Sequence, residues 1–233
     1  GKLATKYAGG SGTKTDPYLI ETPEQMAYFV NNLDGTKGKF YSLTADLSMN
    51  DTSKTDWERN ANQWFTSAAY FEGTFDGCGH VVSGLYYNGN DSIVALIPRV
   101  TRGSVVQRVG ITESSLTSYK TETRDVGYVG GIVGYMGNGT DTNYPIISQC
   151  FGDDSVVLKG SSVGGIVAGG HQAAILNNCY FTGVLEGKTH AGTMVGNTWD
   201  GKGSIITNCY SISREFNAVG SNKSAKNFKC TAV

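Results

Sequence analysis

No run of apolar residues in this chain approaches the roughly 18 to 20 that a membrane-spanning helix needs, and residues 1 to 20 lack the apolar core of a signal peptide. The expectation is a soluble chain, and a secreted protein after signal removal or a domain cut from a larger one would read the same way. Charge of one sign is also missing: 19 Lys and Arg face 20 Asp and Glu, a net charge of -1, so no strong field draws nucleic acid or an acidic membrane surface. Cysteine is sparse. There are five, an odd number without C-x-x-C spacing, which gives neither a zinc site nor a fully paired disulfide framework. No G-x-G-x-x-G, G-x-x-x-x-G-K-[ST] or G-x-S-x-G string occurs, so nucleotide and serine-hydrolase chemistry lack support. Proline is scarce too. Four prolines against 32 glycines and 13 tyrosines suit many short strands joined by tight turns, and 233 residues suffice for one sizeable core.

What is present is a repeat. "VGGIVGYMGNGTDTNYPIISQCF" (129 to 151) is followed by "VGGIVAGGHQAAILNNCYF" (163 to 181) and "AGTMVGNTWDGKGSIITNCYS" (191 to 211), so that Cys150, Cys179 and Cys209 recur 29 and then 30 residues apart. Each unit opens on a small-residue strand and reaches an apolar pair (Ile146 and Ile147, Ile175 and Leu176, Ile205 and Ile206). A polar amide then precedes the cysteine (Gln149, Asn178, Asn208) and an aromatic ring follows it (Phe151, Tyr180, Tyr210). A degenerate fourth copy lies upstream, with Ile93 to Ile97 in the strand slot and Val109 in the cysteine slot. Units this short cannot bury an apolar face alone and must stack on one another. The natural stack is a parallel β-helix of about six to eight coils, with equivalent residues one strand spacing, about 4.8 Å, apart. Other β solenoids and propellers also repeat, but propeller blades usually need about 40 residues or more. In this stack the amides hydrogen-bond along a corner. The cysteines and the Ile/Leu positions line the interior, the thiols free because ladder neighbours point the same way rather than at each other.

Ahead of the repeats, "ETPEQMAYFVNNLDG" predicts a short amphipathic helix near 23 to 33, ending by Gly35. Thr22 is the N-cap, Pro23 the first helical residue and Gln25 the partner in a capping box, with Met26, Phe29, Val30 and Leu33 on one face. It would cover the first coil's open edge. Residues 39 to 49 read as the first strand, 50 to 66 as a long loop, and 70 to 87 as strands packed around glycine turns. One domain results: a cap over 1 to 38, coils over 39 to 211, and a C-terminal cap over 212 to 233.

Three phrases carry a resemblance. "FEGTFDG" with "GHVVSGL" (71 to 77 and 79 to 85), "GGSGTKTDPYLIETPEQM" (9 to 26), and V-G-G-I-V-G with its trailing I-x-N-C-Y together resemble the GLUG-motif repeat surface proteins of bacteria across nearly the whole chain. That resemblance implies an extracellular or cell-surface, right-handed parallel β-helix with a capping helix, adhesin-like, of the kind found also in the non-catalytic regions of immunoglobulin A metallopeptidases. The expectation is further a monomeric module of a larger multidomain protein, with a host protein or glycan as a candidate partner, no nucleic acid, and no cofactor or metal. Cys78 departs from the family's usual asparagine, and no H-E-x-x-H surrounds His80, His171 or His190, so the peptidase chemistry of the larger relatives is not expected.

Parallel β-helices also include polysaccharide lyases and hydrolases, whose sites need clustered carboxylates. Asp153 and Asp154, read as strand neighbours, point to opposite faces, and their slots in the next repeats hold Thr182 with Gly183 and Ile212 with Ser213. Asp76 reads as a turn residue; Asp125, Asp141 and Asp200 read as solvated loop residues; and "GNGTDTN" (137 to 143) lacks the spacing of a calcium loop. His171 and His190 are placed where adjacent coils would let them meet, although surface positions are the simpler reading. No catalytic residue is assigned. Aromatics are the remaining lead: with each cysteine inward, Phe151, Tyr180 and Tyr210 face out as a column about 10 Å long, able to hold a sugar ring or a partner, or simply to stabilise the sheet. Trp57, Trp64 and Trp199 are further candidates, with burial as the alternative. The expected function is a non-catalytic binding or spacing module, and a carbohydrate-active enzyme on the same scaffold is the alternative.

Overall fold

A computed structural model gives the chain as almost entirely β, with one α-helix among the described residues. Those residues are 2–122, 125–137, 143–171, 173–198, 204–212, 218–220 and 225–226.

The helix, α1 (Pro23–Asn31), starts where its side chains dictate. Gln25 N donates to Thr22 Oγ1 at 3.2 Å while Gln25 Oε1 accepts from Thr22 N at 3.2 Å, so two otherwise unpaired N–H groups are satisfied reciprocally. It stops two residues earlier than expected. The amides of Asn31 and Asn32 each donate to a carbonyl one turn back, of Ala27 and Tyr28, both at 2.8 Å, and occupy acceptors in the last turn. Phe29 then meets Tyr41, Phe71 and Phe75 at ring-centroid distances of 4.8, 5.3 and 5.3 Å. The helix thus packs on inward side chains rather than along a strand edge. The edge is handled by another segment: Tyr18–Ile20 is the outermost strand, and Ala8 N donates to Leu19 O while Leu19 N donates to Gly9 O, both at 2.9 Å.

Tyr18–Ile20 also corrects the expected start of the sheet, because a three-residue strand leaves too short an alternation to read. Residues 39 to 49 form the next strands, Phe40–Leu43 and Leu47–Ser48. The expected loop over 50 to 66 contains a 3-10 turn, Trp57–Asn60, and buries Trp64, whose Nε1 donates to Ala95 O at 2.9 Å.

Apart from one antiparallel pair, Thr121–Glu122 with Asp125–Val126, the strands form three parallel sheets that the chain visits in the same order. One pass runs through Val105–Thr112 in the long sheet, Ser114–Ser118 and Tyr128–Gly130 in the second, and Val133–Met136 in the third, then returns to the long sheet at Ile146–Ser148. Along the long sheet eight strands follow one another, from Tyr18–Ile20 to Ala225–Lys226. Within the expected C-terminal cap, residues 218–220 add a bridge from Val219 to Val195 and Ala225–Lys226 pairs with Ser204–Thr207, while the rest beyond Ile212 lies outside the described residues.

Registers turn the repeat into ladders. Phe75, Val106, Ile147, Leu176 and Ile206 are successive partners and are at most 1% exposed. Their predecessors reverse the expectation that both members of each apolar pair point inward. Ile146, Ile175 and Ile205 are also partners, but alternation sends them outward, and Ile146 is 37% exposed. The glycines of V-G-G-I-V-G have a steric cause. Gly130, Gly164 and Gly192 pair in register, and a Cβ on each would sit 2.0, 1.7 and 2.0 Å from the carbonyl oxygen of Val133, Val167 and Val195. In these three passes the turn from the second sheet to the third closes only over a bare Cα.

Candidate functional site

The aromatic column grows out of a backbone corner. Gln149, Asn178 and Asn208 adopt φ of 53°, 55° and 51°, the left-handed region that asparagine tolerates better than most residues. The expected ladder of their side-chain amides is replaced by a backbone one: Gln149 N donates to Asn177 O at 2.9 Å and Asn178 N to Thr207 O at 3.1 Å. This twist turns the following cysteines inward, with Cys150, Cys179 and Cys209 buried as free thiols. Burial pushes the Cys150 thiol up to about 12, and Cys179, hydrogen-bonded to Cys209 and desolvated, is also held above its ordinary range. Cys150 and Cys179, held protonated, are poor nucleophiles, whereas the same hydrogen bond lowers the Cys209 thiol.

Beyond each cysteine the ring points out. Phe151, Tyr180 and Tyr210 are register partners, stacked with centroids 4.8 Å apart at 11° between the first two and 4.8 Å apart at 13° between the next. All three are half-buried. The column ends at Gly110, the register partner of Phe151, because a Cβ there would lie 2.1 Å from that ring. The Tyr180 hydroxyl is raised by its partial burial and by Tyr210 beside it.

The other candidates disperse. Trp199, Asp141, Asp200 and most of 137 to 143 lie outside the described residues. Trp57 meets Tyr86 edge-on at 6.0 Å, and Trp64 is core. His171 follows the third-sheet strand Val167–Gly170 whereas His190 lies in the second-sheet strand Val184–Gly192, paired with Ser162, so they are not ladder neighbours. His80 Nδ1 lies 3.1 Å from Asp46 Oδ1. Asp153 and Asp154 sit in a turn rather than on a strand, where Asp153 Oδ1 accepts from Ser155 N at 3.0 Å. Asp125 is in a strand, Asp125–Val126, paired antiparallel with Thr121–Glu122. Asp76 accepts from Cys78 N at 2.8 Å, as a turn residue does, and also from Arg108 Nε at 2.9 Å, Arg108 Nη2 and Gln107 Nε2. Burial alone would raise its carboxyl, but these donors hold it below the usual range. Among the described residues no group of three or more His, Cys, Asp or Glu is placed to hold a metal ion.

A second feature escaped the sequence. On the outer face of the second sheet, Tyr86, Ser115, Val157 and Val184 form one outward ladder and Asn88, Thr117, Lys159 and Glu186 another, while Tyr87, Leu116, Leu158 and Leu185 between them point into the core. Between the taller side chains lies a groove of about 450 Å³. No repeated residue type marks these positions, so only the register brings them together.

No family model matches the chain. Halomucin of Haloquadratum walsbyi is 30% identical over 125 residues, which are 53% of this chain and 1% of that protein. The "Putative Gly-rich membrane protein" of Evansella cellulosilytica is 28% identical over 150 residues, 61% of this chain and 15% of that protein. The chain therefore spans a small fraction of both relatives. A solved structure from Bacteroides ovatus, described as a "putative immunoglobulin A1 protease", shares the fold at a TM-score of 0.55 and 17% identity, over 96% of this chain and 85% of that one. Among the described residues no helix is long and apolar enough to cross a membrane.

Proposed function

We propose that the chain is a non-catalytic module of a larger cell-surface protein, a right-handed parallel β-helix akin to the GLUG-repeat proteins, that binds a host protein or glycan through its outer surface. The observation that carries the reading is the register-locked column of Phe151, Tyr180 and Tyr210, a flat aromatic strip on a rigid stack. The sequence likeness to a "Gly-rich membrane protein" supports a surface setting, and the three-sheet order of visits supports the β-helix. The engagement of Asp76 and Asp153 by local donors supports a scaffold without an acid–base pair. The test incubates the protein with pectins, host glycans and mucin and measures retention together with release of reducing or unsaturated ends. Retention without release, weakened by Tyr180→Ala or Tyr210→Ala, is the expected result. Sustained product release that vanishes when one carboxylate is changed would overturn it in favour of a carbohydrate-active enzyme, and no retention on any surface would leave a spacer.

A further inference from the structure

We infer that the groove on the second sheet is a further site, apart from the aromatic column, where an extended neutral glycan chain binds; this rests on the reading of the protein as a binding module and adds a site and a ligand class to it. The floor is low because Ser115 and Thr117 carry short side chains, and the walls are tall because their register partners are Tyr86 and Asn88 on one side and Val157 and Lys159 on the other. The trough follows the strand Ser114–Ser118 and meets Tyr119 at its end. Tyr119 is 56% exposed, a large ring standing in water beside hydroxyl and amide groups. Tyr86 at the opposite wall is held edge-on by Trp57, 6.0 Å away, which fixes its ring.

Two rings bordering a floor of hydroxyls suit a ligand that offers apolar C–H faces and many hydroxyl groups at once, which is the chemistry of a sugar chain. Charge narrows the class. Lys159 Nζ lies 3.2 Å from Glu186 Oε2, and the remaining charges at the groove, Lys188 and Glu58, also oppose each other in sign. A polyanion would meet two carboxylates with no surplus of cations, so the balanced groove favours a neutral chain over an acidic one. The core-facing Leu116 and Leu158, both fully buried, anchor the strands beneath, so the site is formed before any ligand arrives.

The test is affinity electrophoresis of the whole chain in gels containing mannan, soluble starch or chitohexaose, with heparin, polygalacturonate and deglycosylated mucin as the contrasting probes. Retardation by at least one neutral glycan is expected, with apparent Kd raised tenfold or more by Tyr119→Ala and by Ser115→Trp, which fills the trough, and unchanged by Ile212→Ala, an exposed residue away from the groove. Circular dichroism and the thermal midpoint check that each variant folds; Tyr119, being exposed, is the safer of the two. Absence of retardation by every neutral glycan, or retardation only by the polyanions or the deglycosylated protein, overturns the proposal. Binding lost through Tyr180→Ala but not Tyr119→Ala overturns it too, while leaving the broader reading of a surface-binding module in place.

Discussion

At the corner of the long sheet the backbone turns left-handed in pass after pass, at Cys78, Arg108, Gln149, Asn178 and Asn208, with φ between 51° and 55°. Asparagine meets that demand with little strain, and at Cys78 and Arg108, where other residues take its place, the corner is braced by a side chain. Asp76 is the brace in the early passes, tied to Arg108, Gln107 and the Cys78 amide. Its side chain is only 16% exposed, so its carboxylate interactions count toward stability. The folded-state pKa is depressed below the ordinary 3.8, so the contribution is fully present above about pH 4 and is lost as pH falls through the lowered value. Asp76→Asn keeps an oxygen for the Cys78 amide but removes the charge, and it should cost about 1 kcal/mol at pH 7. In urea titrations the gap between wild type and variant should close as pH falls from about 4 through the lowered value. A gap that stays constant over that range would show that the carboxylate charge does not brace the corner.

Among the elements, the aromatic column offers a graded measurement. Tyr180 stacks on a ring at either side whereas Tyr210 stacks on one among the described residues. With each aromatic pair contributing about 0.5–1.5 kcal/mol beyond burial, Tyr180→Ala should cost roughly twice the stacking loss of Tyr210→Ala, about 1–3 against about 0.5–1.5 kcal/mol. Equal costs in chemical denaturation would mean that the rings pack on the sheet and not on each other. This column was legible in the sequence because one residue type recurs at one place in each unit, as was α1, whose Thr22, Pro23 and Gln25 form a local signal that needs no tertiary context. Elements set by register alone were not legible. The groove's members Tyr86, Ser115 and Val157 share a position but no chemistry. Tyr18–Ile20 is held by its pairing with Tyr41–Leu43, more than twenty residues away, and its own three residues hold too little pattern to announce it. Ile146 and Ile147 look alike as residues, and only strand alternation separates the exposed one from the buried one.

For the whole molecule, stacking makes stability close to one-dimensional, since each pass packs mainly on the pass before and the pass after. The consequence depends on where a pass is damaged. At Gly164 a Cβ would lie 1.7 Å from Val167 O, and at Gly192 it would lie 2.0 Å from Val195 O and 2.6 Å from Gly220 N; backbone atoms are the obstacles in both cases and cannot move aside cheaply. Gly164 has a paired pass on either side, through Gly130 and Gly192, whereas Gly192 stands near the C-terminal end of the stack. Gly192→Ala should therefore unseat the terminal passes alone, lowering hydrogen-exchange protection at least tenfold across 184–212 while the strands Thr74–Ser83 and Val105–Thr112 and the helix over their end keep theirs. Gly164→Ala should spread the loss over 128–198, because the break then falls inside the stack and both flanking interfaces open. Exchange measured by mass spectrometry on both variants separates this from ordinary two-state behaviour. If Gly192→Ala lowered protection equally from α1 to Thr207, all passes would unfold as a single cooperative unit and nearest-neighbour coupling would not describe this chain.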